Sequence, residues 1–166
     1  MLTLTLGCMY AGKTSALIKL VKHIPQEKYI VIDYDRCEIP YLSELTSHDE
    51  VCIPCMKSQY LMDIDVSSVD TILINEAQFF SDIVPFVETM KHKYIHIYGL
   101  DGDFKQELFG NLLSLIPKCD SYMKLYATCI CGQPAPFSKR LSTNVEQYLP
   151  DDKYRPSCRF CLTNDE

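Results

Sequence analysis

Eight residues near the start of the chain, Gly7-Cys8-Met9-Tyr10-Ala11-Gly12-Lys13-Thr14, satisfy the pattern G-x-x-x-x-G-K-[ST] at every fixed position. Each fixed residue has a physical duty. The glycines allow a tight loop whose backbone N–H groups turn inward onto phosphate oxygens. Lys13 offers an ammonium to the β- and γ-phosphates, and Thr14 offers a hydroxyl to Mg²⁺. A helix beginning at Lys13 would aim its positive end at the same anion. Gly7–Thr14 is therefore the candidate cradle for the phosphates of ATP.

A phosphate cradle needs an acidic residue at the tip of a neighbouring apolar strand to hold the metal. Thr71-Ile72-Leu73-Ile74 is such a strand, and Asn75-Glu76 follows it. Asn75 stands where the acid is expected. Its neutral oxygen accepts from a metal-bound water but brings no charge, so Thr14 and Asn75 form the candidate magnesium site. Glu76 is the only carboxylate at that tip. Two duties are open to it: general base toward an attacking hydroxyl, or metal ligand.

The chain has nine cysteines, and with no secretion signal the first expectation is metal or redox chemistry rather than disulfides. Cys158-Arg-Phe-Cys161 has the two-residue spacer that turns both thiolates onto one tetrahedral ion. Cys129-Ile-Cys131 is the expected other half of a structural Zn²⁺ site. Its one-residue spacer predicts a distorted site or a substitute ligand, with Cys119 a distant candidate. Cys52-Ile-Pro-Cys55 lies in an irregular segment and reads as two ordinary thiols.

The elements that must position these residues alternate. Strands are expected at Leu2–Leu6, Tyr29–Ile32, Thr71–Ile74, Tyr94–Tyr98 and Tyr122–Ala127, and helices at Lys13–Ile24, Asp82–Met90 and Gln106–Leu115. Asp33–Pro54 reads as a long, polar, irregular connection. The βαβ rhythm predicts an α/β fold of the P-loop, RecA-like kind, a mostly parallel sheet with helices on both faces. After residue 128 the apolar periodicity stops. The expected division is a nucleotide-binding domain over 1–128 and a small metal-stapled unit over 129–166.

The 166 residues fit one main domain with at most one appendage, and 47% hydrophobic content is enough for a core. Net charge is -6 with no basic run, so polymeric nucleic acid is not an expected partner. The N-terminal residues do not read as a signal peptide, and no stretch approaches the roughly 18 apolar residues of a membrane span. A soluble, cytoplasmic protein with no membrane association is the expectation.

Five runs occur in order: GCMYAGKT, INEAQFFSDIVPFVE, GLDGDFKQELFG, FSKRL and YRPSCRFC. Together they resemble the thymidine kinases of the cellular, poxviral and bacterial type, over nearly the whole of Gly7–Cys161 and least between Asp33 and Asp70. The resemblance implies transfer of the γ-phosphate of ATP to thymidine, with Glu76 as the base that activates the 5′-hydroxyl. It implies Met9, Phe79, Leu100, Phe104 and Phe109 around the base, Tyr154 packed on it, and Ser138 and Arg140 at the start of a nucleoside-binding lasso. Asp35-Arg36 matches a family Asp-x-Arg element with the spacing off by one, and Asp33 is the other candidate for that acid. A Ser47-His48 pair also matches. The resemblance further implies a homotetramer and feedback binding of dTTP. The chain departs from the family pattern in three places: Asn75 for Asp, Leu149-Pro150 for a Gly-Gly pair, and Cys129-x-Cys131 for C-x-x-C. These departures motivate a second reading, a nucleotide-binding protein with weakened catalysis. A third is another nucleoside kinase or an ATPase.

Overall fold

The computed structural model describes residues 1–47, 49–149 and 152–164. His48 and Pro150, singled out in the sequence, lie outside the described residues. Strand β1 (Leu2–Gly7) shows the logic of the sheet: Leu2, Leu4 and Leu6 are buried while Thr3 and Thr5 are only partly covered. Alternation places the three leucines together on one face. Strand β5 (Thr71–Ile74) is buried at every position. Ile72 and Ile74 join one apolar cluster and Leu73 the opposite one, as a strand covered on both faces requires.

The other strands of the main sheet are β2 (Tyr29–Tyr34), β3 (Tyr41–Thr46), β4 (Cys52–Ser58), β6 (Tyr94–Gly99) and β7 (Ser121–Leu125). Their order is β3-β4-β2-β5-β6-β1-β7. Every neighbouring pair runs parallel except β3–β4. Helix α1 (Lys13–Val21) covers one face, setting Leu17, Ile18 and Val21 against Val31, Leu73 and Tyr98. Helix α2 (Ile83–Thr89) and a 3-10 helix at Leu112–Lys118 cover the other, packing on Leu4, Ile72, Ile74 and Ile97. Each such fully buried aliphatic side chain contributes about 1.5–3 kcal/mol. The α/β class and the two-faced layering match the sequence expectation.

Four expectations are corrected. Asp33–Pro54 is not irregular: it contains β3 and the start of β4, paired antiparallel from Tyr41↔Lys57 to Thr46↔Cys52. As an edge strand β3 is exposed at most positions, so the apolar alternation that marks a strand is absent, and Pro54 further argued against one. Gln106–Leu115 is not an α-helix: its first six residues are a turn, and only from Leu112 does the chain coil, as the 3-10 helix Leu112–Lys118. Asp103 Oδ1 accepts the backbone N–H groups of Lys105 (2.8 Å) and Glu107 (2.9 Å), which coils this segment into a turn. Gln106 and Gly110 then take positive φ of 65° and 61°, conformations no helix admits. The fifth expected strand ends at Leu125, and helix α1 ends at Val21, after which His23 and Ile24 make three-residue turns onto Leu20 and Val21.

Beyond β7 the chain builds two small antiparallel pairs, β8 (Ala127–Thr128) with β9 (Pro134–Ala135) and β10 (Phe137–Arg140) with β11 (Tyr154–Ser157), and then the short helix α3 (Arg159–Thr163). Cys129, Ala135 and Cys158 are buried together between them.

Candidate active site

The carboxyl ends of β1, β2, β5 and β6 open onto one cleft of about 540 Å³, the place where open α/β sheets bind ligands. The loop after β1 lines it from Met9 to Ser15. Gly7 and Cys8 lie beneath. At Gly7 a Cβ would stand 2.6 Å from the Leu125 carbonyl oxygen, so the close approach of β1 to β7 requires glycine. Gly12, with φ 82°, makes the left-handed entry into α1. The buried Lys13 Nζ donates to the carbonyls of Gly7 (3.1 Å) and Cys8 (2.7 Å). Burial lowers its pKa from the ordinary lysine value, and an anion beside it would reverse that effect. The loop is also braced from β9 and β10: Met9 N–H donates to Ser138 Oγ (2.9 Å), and the Cys8 thiol donates to the Ala135 carbonyl (3.1 Å).

At the tip of β5, Glu76 is held at φ 49°, ψ 40°, a left-handed conformation rare for a residue other than glycine. The turn points its carboxylate into the cleft. Glu76 Oε2 accepts from Gln78 Nε2 at 2.6 Å, and Gln78 Oε1 accepts from Leu100 N–H at 3.0 Å. The buried Gln78 thus clamps Glu76 to the end of β6. Two glycines make room for it: a Cβ on Gly110 would lie 2.2 Å from the Gln78 carbonyl oxygen, and one on Gly99 2.9 Å from Gln78 Oε1. Asn75, 3% exposed, donates through Nδ2 to Asp33 Oδ1 at 2.9 Å. The other Asp33 oxygen is ion-paired with Lys57. Asp33, Lys57, Asn75 and Glu76 all line the cleft. Asp35 and Arg36 do not; Asp35 instead accepts a hydrogen bond from the Tyr41 hydroxyl.

The opposite half of the cleft is aromatic. Phe79 stacks on Tyr34 (5.0 Å between centroids) and meets Phe109 (5.1 Å) and Tyr148 (4.6 Å) edge-on. Met9, Leu100, Phe104 and Tyr154 line the same space. Arg140 does not; it is buried with its guanidinium 3.9 Å from the centre of the Phe104 ring and 5.1 Å from that of Tyr154. It donates to the Tyr154 hydroxyl at 3.2 Å and pairs with Asp152 at 2.8 Å. Sequence reasoning missed Tyr34, Gln78, Lys57 and Tyr148. The tyrosine edge-on to Phe79 is Tyr148, two residues from the Pro150 that marks the departure from the family's glycines. An aromatic residue in so polar a stretch was the one signal that could have found it.

Cys129, Cys131, Cys158 and Cys161 bring their sulfurs within 4.8 Å of one another. Tetrahedral zinc with Zn–S of about 2.3 Å sets thiolates about 3.8 Å apart, and Cys131 Sγ lies 3.6 Å from Cys158 Sγ. The donor set fits a metal, and the one-residue spacer is accommodated without a substitute ligand. The reason is local: Gly132 at φ 83° reverses the chain, with its N–H on the Cys129 carbonyl (2.8 Å). Hydrogen bonding to the backbone of Cys131 draws the Cys129 thiol down to about 6, while its bond with the Cys131 side chain pushes Cys161 up to about 12. Four thiols this close ionise together only around a cation. Cys119 stands apart, its thiol on the Ile116 carbonyl. Cys52 and Cys55 fall three residues apart on strand β4, one exposed and one buried, so their thiols leave opposite faces and form no pair.

Comparison with known proteins places the chain in a family. A family model described as thymidine kinase matches residues 1–162. The chain is similar to the thymidine kinase of Myxoma virus (strain Uriarra), 38% identical over 167 residues that cover 95% of this chain and 93% of the relative. It is similar to the cytosolic thymidine kinase of Homo sapiens, 37% identical over 165 residues covering 94% of this chain and 70% of the relative. The Bos taurus enzyme is 36% identical over 94% of this chain and 69% of its own length. Matched along nearly its whole length, the chain belongs to the thymidine kinase family.

Proposed function

We propose that the protein is an ATP:thymidine 5′-phosphotransferase, converting ATP and thymidine into ADP and thymidine monophosphate. The observation that carries this reading is that one cleft joins a phosphate cradle, a carboxylate on a strained strand tip and a set of aromatic rings. The backbone amides and Lys13 would hold the β- and γ-phosphates, with Lys13 exchanging the carbonyls of Gly7 and Cys8 for phosphate oxygens. Glu76, oriented by Gln78, would take the proton of the 5′-hydroxyl as that oxygen attacks the γ-phosphorus. Phe79, Phe109 and Tyr148 offer flat faces to a pyrimidine, joined by Met9, Leu100, Phe104 and Tyr154. Ser138 lines the same cleft while holding the Met9 amide, so it stays within reach of the nucleoside, whereas Arg140 braces the lasso from behind. Phosphoryl transfer depends mainly on positioning and charge neutralisation, and the rigidity of this frame suits that demand.

Mg²⁺ fits the hard oxygens that Thr14, Asn75 and Asp33 bring to the cleft, and when bound with ATP it neutralises the charge on the β- and γ-phosphates. Structural Zn²⁺ is the metal best suited to the four thiols. We further propose the division into a nucleotide-binding domain over 1–128 and a zinc and lasso unit over 129–166. No helix among the described residues is long and apolar enough to cross a membrane, and the human and bovine relatives are named cytosolic; a cytosolic location follows as part of this reading. Assembly as a homotetramer and inhibition by dTTP rest on family membership alone.

The test is a transfer assay with γ-labelled ATP offered thymidine, deoxyuridine, deoxycytidine or water. Label should pass to thymidine well ahead of the others; transfer only to water, or none, overturns the proposal. Glu76→Gln should lower kcat by about 10²–10⁴-fold while leaving nucleotide affinity intact.

A further inference from the structure

Asn75 brings no charge to the strand-tip position where the acid that holds the metal is expected. The charge has not left the site. Strand β2 runs parallel to β5 with Ile32 opposite Ile74, so Asp33 and Asn75 follow side by side at the carboxyl end of the sheet. The Asn75 N–H donates to the Ile32 carbonyl (2.8 Å) and fixes this register. The other carboxylates lining the cleft are placed elsewhere: Glu76 is clamped by Gln78, Asp103 holds Lys105, Glu107 and Gln147, and Glu44 sits on the edge strand.

Resting on the reading above, we propose that Asp33 is the carboxylate that serves the metal of the metal–nucleotide, acting as one unit with Asn75. The chemistry of the pair supports it. A carboxylate only accepts, so Asn75 must turn its amide N–H toward Asp33, and its carbonyl oxygen then faces away. The amide is thereby oriented to accept from a metal-bound water. Asp33 itself, 5% exposed, receives one hydrogen bond from Asn75 on one oxygen and the Lys57 ammonium on the other. A carboxylate has about four acceptor positions, so room remains for a metal-bound water. Lys57 supplies the counter-charge that a buried carboxylate needs when no metal is present. It therefore competes with the metal for Asp33.

Manganese, read by electron paramagnetic resonance as free Mn²⁺ in the presence of ADP, gives the metal affinity directly, and calorimetry without metal gives ADP affinity alone. Asp33→Asn should weaken Mn²⁺ binding about tenfold or more, the size expected when an outer partner of a metal site is lost. Metal-free ADP affinity should change by less than about twofold. Lys57→Met, which removes the competing cation, should tighten Mn²⁺ severalfold. In the exchange variant Asp33→Asn with Asn75→Asp, the amide–carboxylate pair survives with its members swapped, and Mn²⁺ affinity should return to near that of the unaltered protein. An Asp33→Asn protein that melts like the original and binds Mn²⁺ equally well would show that Asp33 only anchors Lys57, and would overturn the proposal. If that variant does not fold, Lys57→Met decides, unchanged or weaker metal binding being the contrary result. Failure of the unaltered protein to phosphorylate thymidine would count against the proposed function instead.

Discussion

The side chain on which Glu76 depends is Gln78. It bridges the carboxylate and the Leu100 amide with bonds of 2.6 and 3.0 Å, so it can aim Glu76 without touching a substrate. Gln78→Ala should therefore lower kcat by about 10–100-fold, an orientation effect of the kind that small misplacements produce, with thymidine KM changed far less. Steady-state kinetics check this, and an equal loss in both constants would argue that Gln78 contacts the nucleoside. The same residue shows how single positions carry shape. Only glycine at 110 allows the backbone to pass the Gln78 carbonyl, because any Cβ would stand 2.2 Å from it.

At the scale of the element, that contact belongs to the turn that replaces the first part of the helix expected over Gln106–Leu115. Gly110→Ala adds both a clash and a side chain at φ 61°, and should cost about 3 kcal/mol, a fall in Tm of roughly 6–12 °C for a chain of this size. Thermal unfolding followed by circular dichroism measures it. Strand β6 holds a different sensitivity. His96 is half-buried, with Nδ1 2.8 Å from Thr3 Oγ1, and burial lowers its pKa from the ordinary 6.5. The unfolded chain then binds this proton more readily than the folded one. Stability is present above about pH 6.5 and falls as pH drops below it. Tm recorded between pH 7.5 and 5.5, above the range where carboxylates dominate, should decline, and His96→Gln should flatten the slope.

For the whole molecule, the consequential fact is that strands β9 and β10, far along the chain, hold the loop after β1. Ser138 caps the Met9 amide and Ala135 accepts the Cys8 thiol; Ala135 is buried with Cys129 and Cys158, and Ser138 lies on β10, paired with the β11 strand that leads into Cys158. Metal at the four thiols should therefore be felt in ATP binding some distance away. We expect about one zinc per chain by atomic absorption. Cys158→Ser or a strong chelator should lower stability by several kcal/mol and weaken ADP binding about tenfold. Loss of zinc with unchanged ADP affinity would show that the two halves are uncoupled.

How much of this was legible in the sequence follows from the range of the interactions. The phosphate loop, the apolar β5 with Asn75-Glu76 after it, the α/β alternation and the four cysteines were all readable, because each depends on residues close in the chain and on periods that local geometry imposes. The hairpin of β3 and β4 was not: an edge strand buries too little to leave an alternating pattern. The helix expected over Gln106–Leu115 survives only as the 3-10 turns from Leu112; its start lost to Asp103, whose carboxylate takes the Lys105 and Glu107 amides. Only the folded chain could place Tyr148 against Phe79, Gln78 between Glu76 and Leu100, or Asp33 beside Asn75, since those partners lie 69, 22 and 42 residues apart. Sequence by itself determined which chemical groups the protein owns and which strand tips carry them. The tertiary structure decided which of those groups meet, because parallel pairing across crossovers sets neighbours by register, and register is not written in any one segment.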